Sequence, residues 1–124
     1  MKPPYARGKR KQRGVMNSTE RKFRDEVLLP RVDSGRVVMW WYEKWTWVLT
    51  EKTPSGKPGI RYTPDFVCLL DSGELIVFEV KGQGNAQRQD LNRVKVFADN
   101  YPLRVYVATL QRVKDGGGFK IEEY

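Results

Sequence analysis

The sequence predicts an α/β protein in which helices flank a mixed β-sheet. Runs of β-branched and aromatic residues, separated by turn residues, fill much of the chain. Two further stretches carry apolar residues at helical spacing, one before these runs and one between them. The expected order of elements is α-β-β-β-β-α-β-β, without internal repeats.

Capping and spacing predict the two helices. Residues 17–20, Asn-Ser-Thr-Glu, have the spacing of a capping box, and the helix that follows should end near Leu29 because Pro30 comes next. The second helix is expected over residues 86–100. Its apolar face would hold Leu91, Val94, Phe97, Ala98 and Tyr101.

Six strands are expected from the β-branched and aromatic residues. They cover residues 37–42, 45–49, 66–70, 75–81, 103–109 and 119–124. The first two contain all four tryptophans, for which core packing, stacking on unpaired bases and a dimer interface all stay open as roles.

Positive charge is concentrated at the N-terminus. The chain carries a net charge of +8, and its first 16 residues hold six lysines and arginines but no acid. We therefore predict a basic flexible arm, residues 1–16, followed by one domain, residues 17–124. Such an arm fits nucleic acid as a partner, whereas a solvated terminus without a specific role is the alternative. The candidate DNA-binding residues of the arm are Lys9, Arg10, Lys11 and Arg13.

Two residue types exclude classes of chemistry. The chain has no histidine, so histidine bases and histidine metal ligands are excluded, and its one cysteine, Cys68, excludes an internal disulfide. Any catalysis must then rest on carboxylates, lysine, tyrosine or a hard metal ion. No apolar run has membrane-spanning length and no signal peptide precedes the domain, so a cytoplasmic location is expected.

The hairpin expected at Asp71-Ser72-Gly73 brings two acids together. A type I turn with a left-handed glycine sets Leu70 opposite Glu74. Counting back along both strands sets Asp65 opposite Glu79, with Cβ atoms roughly 5 Å apart.

Two opposed carboxylates repel each other, so stability alone does not explain this pair. The other face of the second strand is apolar, which indicates a strand buried on one side. A divalent cation between Asp65 and Glu79 would relieve the repulsion, and Lys81, on the same face, could hold an attacking water. The alternative is a surface ion pair of Glu79 with Lys81 and a separate Asp65.

These residues resemble a known nuclease motif. Pro64-Asp65 followed by Glu79-Val80-Lys81 resembles the PD-(D/E)XK signature. With its flanking residues it is similar to small phage-encoded nuclease-like proteins of unassigned function, and similar architectures occur in Holliday-junction resolvases. The resemblance covers about residues 17–109.

The resemblance implies a restriction-endonuclease-like core and a role for each motif residue. Asp65 and Glu79 would ligate Mg²⁺, with Mn²⁺ as a substitute, and the Val80 carbonyl would complete the protein ligands. Lys81 would orient the nucleophilic water. Many relatives add an acid from the first helix, which Glu20 would match here; a Glu20 that only closes the capping box is the alternative.

The expected function is a metal-dependent endonuclease that hydrolyses phosphodiester bonds of DNA. By analogy its substrate is branched or junction DNA in phage recombination, replication or packaging, in the host cytoplasm, and the protein acts as a homodimer. Arg93 and Lys95 of the second helix are further candidates for contacts with the DNA backbone. A noncatalytic nucleic-acid-binding protein with a nuclease-like fold, and a partner-binding module that uses the tryptophans, stay open as alternatives.

Overall fold

A computed structural model of the chain describes residues 14–83 and 88–124, without the side chains of residues 88–90. The helical elements are α1 (Ser18–Phe23), a π-helical turn (Arg24–Leu28), α2 (Leu29–Asp33), α3 (Arg88–Asn100) and a 3-10 turn (Val113–Asp115). The strands are β1 (Val37–Tyr42), β2 (Trp47–Val48), β3 (Arg61–Tyr62), β4 (Phe66–Leu70), β5 (Leu75–Lys81), β6 (Arg104–Leu110) and β7 (Phe119–Glu123).

The central sheet has five strands in the order β1-β4-β5-β6-β7. β5 and β6 are parallel and α3 connects them, whereas the other neighbours are antiparallel. The predicted α/β architecture with a mixed sheet is therefore confirmed. The strand expected over residues 45–49 is shorter than predicted: only Trp47–Val48 pairs, and it forms a separate two-stranded sheet with β3.

The first helix does not end at Pro30, as the sequence predicted, but continues to Asp33. A π-helical turn precedes the proline, and within it the Leu29 N–H bonds to the Arg24 carbonyl, five residues back. This wider turn changes the hydrogen-bond register before Pro30, which has no N–H to offer. In the same stretch the Arg31 guanidinium donates to the Val27 carbonyl at 2.8 Å.

Both faces of the sheet are buried. α1 covers one face through Phe23, which contacts the rings of Phe66 and Phe78. On the other face α3 packs through the predicted apolar stripe, with Val94 and Phe97 fully buried. Residues 76–81 of β5 are consequently buried on both sides, and the expectation of a strand buried on one side is wrong.

The β4–β5 hairpin has the predicted register. Phe66 pairs with Phe78, and the Leu70 N–H donates to the Glu74 carbonyl at 2.8 Å. Gly73 has the expected positive φ of 88° at the turn. One step beyond the Phe66–Phe78 pair, this register sets Asp65 against Glu79 at the open end of the hairpin.

Close backbone packing at Gly59 holds β3 in place beside the sheet. The Leu49 N–H donates to the Ile60 carbonyl at 2.7 Å, and the Tyr101 hydroxyl donates to the Val48 carbonyl at 2.6 Å. A Cβ atom on Gly59 would collide with the Thr50 carbonyl oxygen. The glycine is therefore required by close approach rather than by a positive φ.

We expect Gly59→Ala to destabilise the protein by roughly 1 to 3 kcal/mol, because the added methyl group forces the Thr50 backbone to move. Urea unfolding followed by tryptophan fluorescence measures the change. Lys57→Ala, in the same loop, is the control and should change stability by less than about 0.5 kcal/mol. Equal stability of the Gly59→Ala variant and the parent would show that this contact relaxes freely.

Candidate active site

The predicted site residues meet at one cavity. It is open, has a volume of about 370 Å³ and lies at the end of the β4–β5 hairpin next to the start of α1. The residues that line it are Asn17, Thr19, Glu20, Asp65, Glu79, Val80, Lys81 and Gly82. The structure thus brings together all five residues proposed from the sequence for catalysis and metal binding, and we call this space the acid cavity.

Asp65 lies between the first helix and β5. Its Oδ2 accepts a hydrogen bond of 2.8 Å from the Val80 backbone N–H, which ties the carboxyl group to the neighbouring strand. Burial and the charge of Glu79 raise the pKa of Asp65 to about 9, although the Val80 hydrogen bond acts in the opposite direction. A hydrogen bond between the carboxyl groups of Asp65 and Glu20 raises this pKa further. Two carboxyl groups share a hydrogen bond only when one of them is protonated.

Glu79 is held at both carboxylate oxygens and is only 7% exposed. The Tyr62 hydroxyl donates to Oε1 at 2.7 Å, and the Lys81 ammonium lies 3.2 Å from Oε2. Lys81 is itself 9% exposed, so this is a buried ion pair and not the surface pair considered as the alternative. Burial, followed by the charge of Glu79, raises the pKa of Tyr62, which therefore remains a hydrogen-bond donor.

Glu20 belongs both to the helix cap and to the lining of the acid cavity, and its catalytic role stays a prediction. Its Oε1 accepts from the Asn17 N–H at 2.9 Å, which closes the capping box of α1. The same oxygen accepts from the Tyr42 hydroxyl at 2.7 Å, and the side chain, 3% exposed, lines the acid cavity beside Asp65. The cap therefore fixes the position of this acid beside Asp65.

Two features of this region escaped the sequence analysis. Tyr42 and Tyr62 each donate to one acid, and Glu43 follows β1 with a positive φ of 45°, while its backbone N–H donates to the Asp65 carbonyl at 3.0 Å. A positive φ is unusual in a non-glycine residue and costs energy. Tyr62 adjoins the Pro64-Asp65 motif in sequence, but no signal in the sequence pairs Tyr42 with Glu20, which are 22 residues apart.

The predicted domain start lies close to this region. The Gly14 N–H donates to Glu43 Oε1 at 3.2 Å, and the Val15 carbonyl oxygen lies 3.3 Å from the Tyr42 hydroxyl oxygen. The chain therefore contacts the body of the protein three residues before the predicted boundary at Asn17. The candidate DNA-binding residues Lys9, Arg10, Lys11 and Arg13 lie outside the described residues.

The ligand chemistry fits Mg²⁺ in kind. The acid cavity presents carboxylate oxygens and no nitrogen or sulfur ligand, which suits a hard cation that keeps several waters. Within residues 14–83 and 88–124, however, no three acidic or cysteine side chains are already arranged to hold a metal ion. Glu79 already accepts from Tyr62 and contacts Lys81, so a cation would share this acid with both groups.

A second open cavity adjoins the acid cavity on the α3 side. It has a volume of about 380 Å³ and is lined by Arg61, Tyr62, Thr63, Glu79, Lys81 and Arg93. Arg93, a candidate DNA-binding residue, thus lies beside the site, whereas Lys95 is exposed on α3 without lining this space. Arg61 was not singled out from the sequence because an exposed arginine on a short strand has no distinguishing pattern.

The tryptophans divide between packing and exposure. Trp47 packs against Phe97 at 5.2 Å between ring centroids, and Trp40 packs against Phe66 at 6.0 Å. Trp41 and Trp45 contact each other at 4.9 Å, and Trp45 remains 39% exposed. Packing accounts for most of this cluster.

No helix among the described residues is both long enough and apolar enough to cross a bilayer. Comparisons of the chain with protein-family models, with curated proteins and with solved structures give no match.

We expect Asp65→Asn to stabilise the protein in EDTA, by roughly 1 to 3 kcal/mol near pH 9. A carboxyl group whose pKa is raised on folding binds more protons in the folded state, so its contribution to stability falls as the pH rises from about 4 to about 9. The amide keeps the acceptor for Val80 and offers N–H to Glu20. Urea unfolding at several pH values measures the difference, which should vanish near pH 4; a constant difference at all pH values would contradict this account.

We expect Tyr62→Phe to weaken the binding of Mn²⁺ by roughly 10- to 100-fold, because Glu79 loses the donor that fixes its Oε1. The measurement is a titration of thermal stabilisation with Mn²⁺, compared with the parent. Tyr106→Phe is the matched control, since Tyr106 packs on Phe78 and lines neither cavity of the site. Equal Mn²⁺ responses of the Tyr62→Phe variant and the parent would show that the hydroxyl does not position Glu79.

Proposed function

We propose that the protein is a metal-dependent endonuclease that hydrolyses phosphodiester bonds of DNA. The observation that carries the proposal is the convergence of Glu20, Asp65 and Glu79 with Lys81 on one open cavity. In a chain without histidine, carboxylates with a lysine are a complete set for hydrolysis assisted by a hard metal ion.

The energetics of the acids favour function over stability. Glu20 and Glu79 are nearly fully buried, and Asp65 lies between them, so three acids approach one another where water screens them poorly. Each acid nevertheless accepts a hydrogen bond from a separate donor. The Tyr42 hydroxyl donates to Glu20, the Val80 N–H to Asp65 and the Tyr62 hydroxyl to Glu79. A cluster that costs stability and is still held by dedicated donors is typical of a functional site.

Each residue of the cavity has a role in the proposed reaction. Asp65 and Glu79, with the Val80 carbonyl and with Glu20 at the helix start, would hold Mg²⁺ or Mn²⁺. When bound, the cation would supply positive charge to the scissile phosphate. Lys81, fixed by Glu79, would donate a hydrogen bond to the attacking water and offset the negative charge that develops on the phosphate.

The architecture is compatible with a restriction-endonuclease-like core. The antiparallel β4–β5 hairpin carries the acids, the parallel pair β5–β6 is connected through α3, and α1 covers the opposite face. This arrangement, together with the motif on β4 and β5, supports the resemblance to PD-(D/E)XK nucleases.

The partner is proposed from charge and resemblance together. The net charge of +8 and the basic arm favour an anionic polymer, and the acids of the site favour one with hydrolysable phosphodiesters. Branched DNA as substrate and a homodimer as the active form rest on the resemblance alone.

We expect the purified full chain to cleave DNA only when Mg²⁺ or Mn²⁺ is added. Asp65→Asn and Lys81→Ala should each lower the cleavage rate by roughly 10²-fold or more, because the first removes a metal ligand and the second a positive charge at the phosphate. The assay uses linear, nicked, flap and four-way-junction DNA resolved on gels. Lys114→Ala, an exposed lysine outside both cavities, is the charge-matched control.

Binding measured in parallel separates catalysis from association. Both variants should bind DNA with affinity close to that of the parent, since most affinity comes from contacts with the backbone. If all substrates stay intact with either metal ion while the protein binds them, the catalytic proposal fails and the protein is a noncatalytic nucleic-acid-binding protein.

A further inference from the structure

We propose that the cavity between Arg61 and Arg93 binds a second phosphate of the same DNA strand, adjacent to the phosphate that is cut. We call this space the arginine cavity; it is lined by Arg61, Tyr62, Thr63, Glu79, Lys81 and Arg93. The inference rests on the proposed function for the identity of the cut phosphate, and it adds how the strand is held.

The arginine cavity and the acid cavity share a wall. Glu79 and Lys81 line both, so a group bound in one space lies next to a group bound in the other. The two volumes, about 380 Å³ and about 370 Å³, are similar, and each lies at the lower end of the range for ligand cavities. Together they form one trough with acids at one end and arginines at the other.

The two guanidinium groups are free to bind a ligand. Among the side chains that the structure describes, neither Arg61 nor Arg93 has a hydrogen bond or ion pair, whereas Arg104 is held by two hydrogen bonds of 2.7 Å to Glu74. A guanidinium group presents several donors in a planar fork, and phosphate oxygens accept it in pairs. Because both guanidinium groups line one cavity and have no acid partner among the described side chains, this cavity favours an anionic ligand from outside the protein.

The separation of the two arginines is set by packed elements and not by loops. Arg61 pairs with Val48 across the β2–β3 ladder, and the Val48 carbonyl accepts from the Tyr101 hydroxyl at the end of α3. Arg93 precedes the buried Val94 on the same helix. The Tyr62 ring also contacts the Phe97 ring at 5.2 Å between centroids, so β3 and α3 are fixed to each other. A site with fixed geometry is suited to a ligand of fixed spacing, such as consecutive phosphates of a strand.

The shared wall favours a polymer as the ligand. The Lys81 ammonium lies 3.2 Å from Glu79 and balances its charge, so this wall gives an isolated anion no net attraction beyond that of the arginines. A DNA strand would gain a second interaction, because one of its phosphates would lie at the acid cavity and the next at the arginines. An inorganic phosphate or a mononucleotide supplies only one of the two groups and should bind weakly.

The test is a chemical double-mutant cycle on a protein that does not cleave. The parent is full-length Asp65→Asn, and the ligands are single-stranded oligonucleotides with a four-way-junction set in parallel, each carrying a neutral methylphosphonate at a single position. We expect the methylphosphonate at one position of the oligonucleotide to weaken its binding to the parent by about tenfold, which is the effect of losing a charged hydrogen bond. When Arg61→Ala and Arg93→Ala are both added to this parent, the same methylphosphonate should weaken binding no further.

Controls separate a specific contact from loss of charge. Asp65→Asn, Lys114→Ala loses one charge outside the trough and should keep the full methylphosphonate effect. Arg61→Lys and Arg93→Lys keep the positive charge but lose the paired donors of the guanidinium group, so these variants should show only part of the methylphosphonate effect. Thermal unfolding of each variant establishes that it is folded, because both arginines are exposed and their removal should change stability by less than about 0.5 kcal/mol.

The outcomes also distinguish this inference from the proposed function. If every methylphosphonate position weakens the parent and the double variant equally, the arginine cavity does not bind a strand phosphate, and metal-dependent cleavage by the wild type still supports the nuclease. If the cycle shows coupling but the wild type never cleaves, the trough binds a strand and the catalytic proposal is wrong. Displacement of the oligonucleotide by equimolar inorganic phosphate would overturn the requirement for two adjacent phosphates.

Discussion

The register of the β4–β5 hairpin is the constraint on which the candidate site depends. The left-handed Gly73 sets a three-residue turn, and every pair along the hairpin follows from it until Asp65 stands against Glu79. Because side chains alternate between faces, a slip of one residue would move Glu79 and Lys81 to the α1 face of the sheet, away from Tyr62. Asp65 and Glu79 each lie six residues from the turn, and the backbone geometry of the hairpin therefore already determines that they meet.

This register buries carboxylate groups and so lowers the stability of the fold, and the surrounding hydrogen-bond donors offset that loss. Both faces of β5 are covered, so the charge of Glu79 lies where a carboxylate is poorly solvated. The Tyr62 hydroxyl and the Lys81 ammonium compensate that charge, while the Val80 N–H donates to Asp65.

The same packing links the acids to the rest of the surface. β3 contributes two residues to the trough. Tyr62 donates a hydrogen bond to Glu79, and Arg61 lines the arginine cavity. The close approach at Gly59 and the Tyr101–Val48 hydrogen bond hold that strand against α3. Rigid placement of a small strand by a helix allows an exposed arginine to have a fixed position, which a loop would not provide.

The sequence by itself determined the elements whose causes are local. The capping box at Asn17, the turn at Gly73, the alternation along β5 and the apolar stripe of α3 each depend on residues a few positions apart, and the hairpin register followed from the turn. The length of the first helix was misjudged because a π-helical turn, stabilised by tertiary packing of Val27 and Leu28, lets the chain pass Pro30.

Only the tertiary structure decided which groups meet across long separations. Tyr42 reaches Glu20 and Tyr62 reaches Glu79, and α3 brings Arg93 to the strand that carries Arg61. Such contacts arise from the way helices cover a sheet, for which residues far apart in sequence leave no periodic signal.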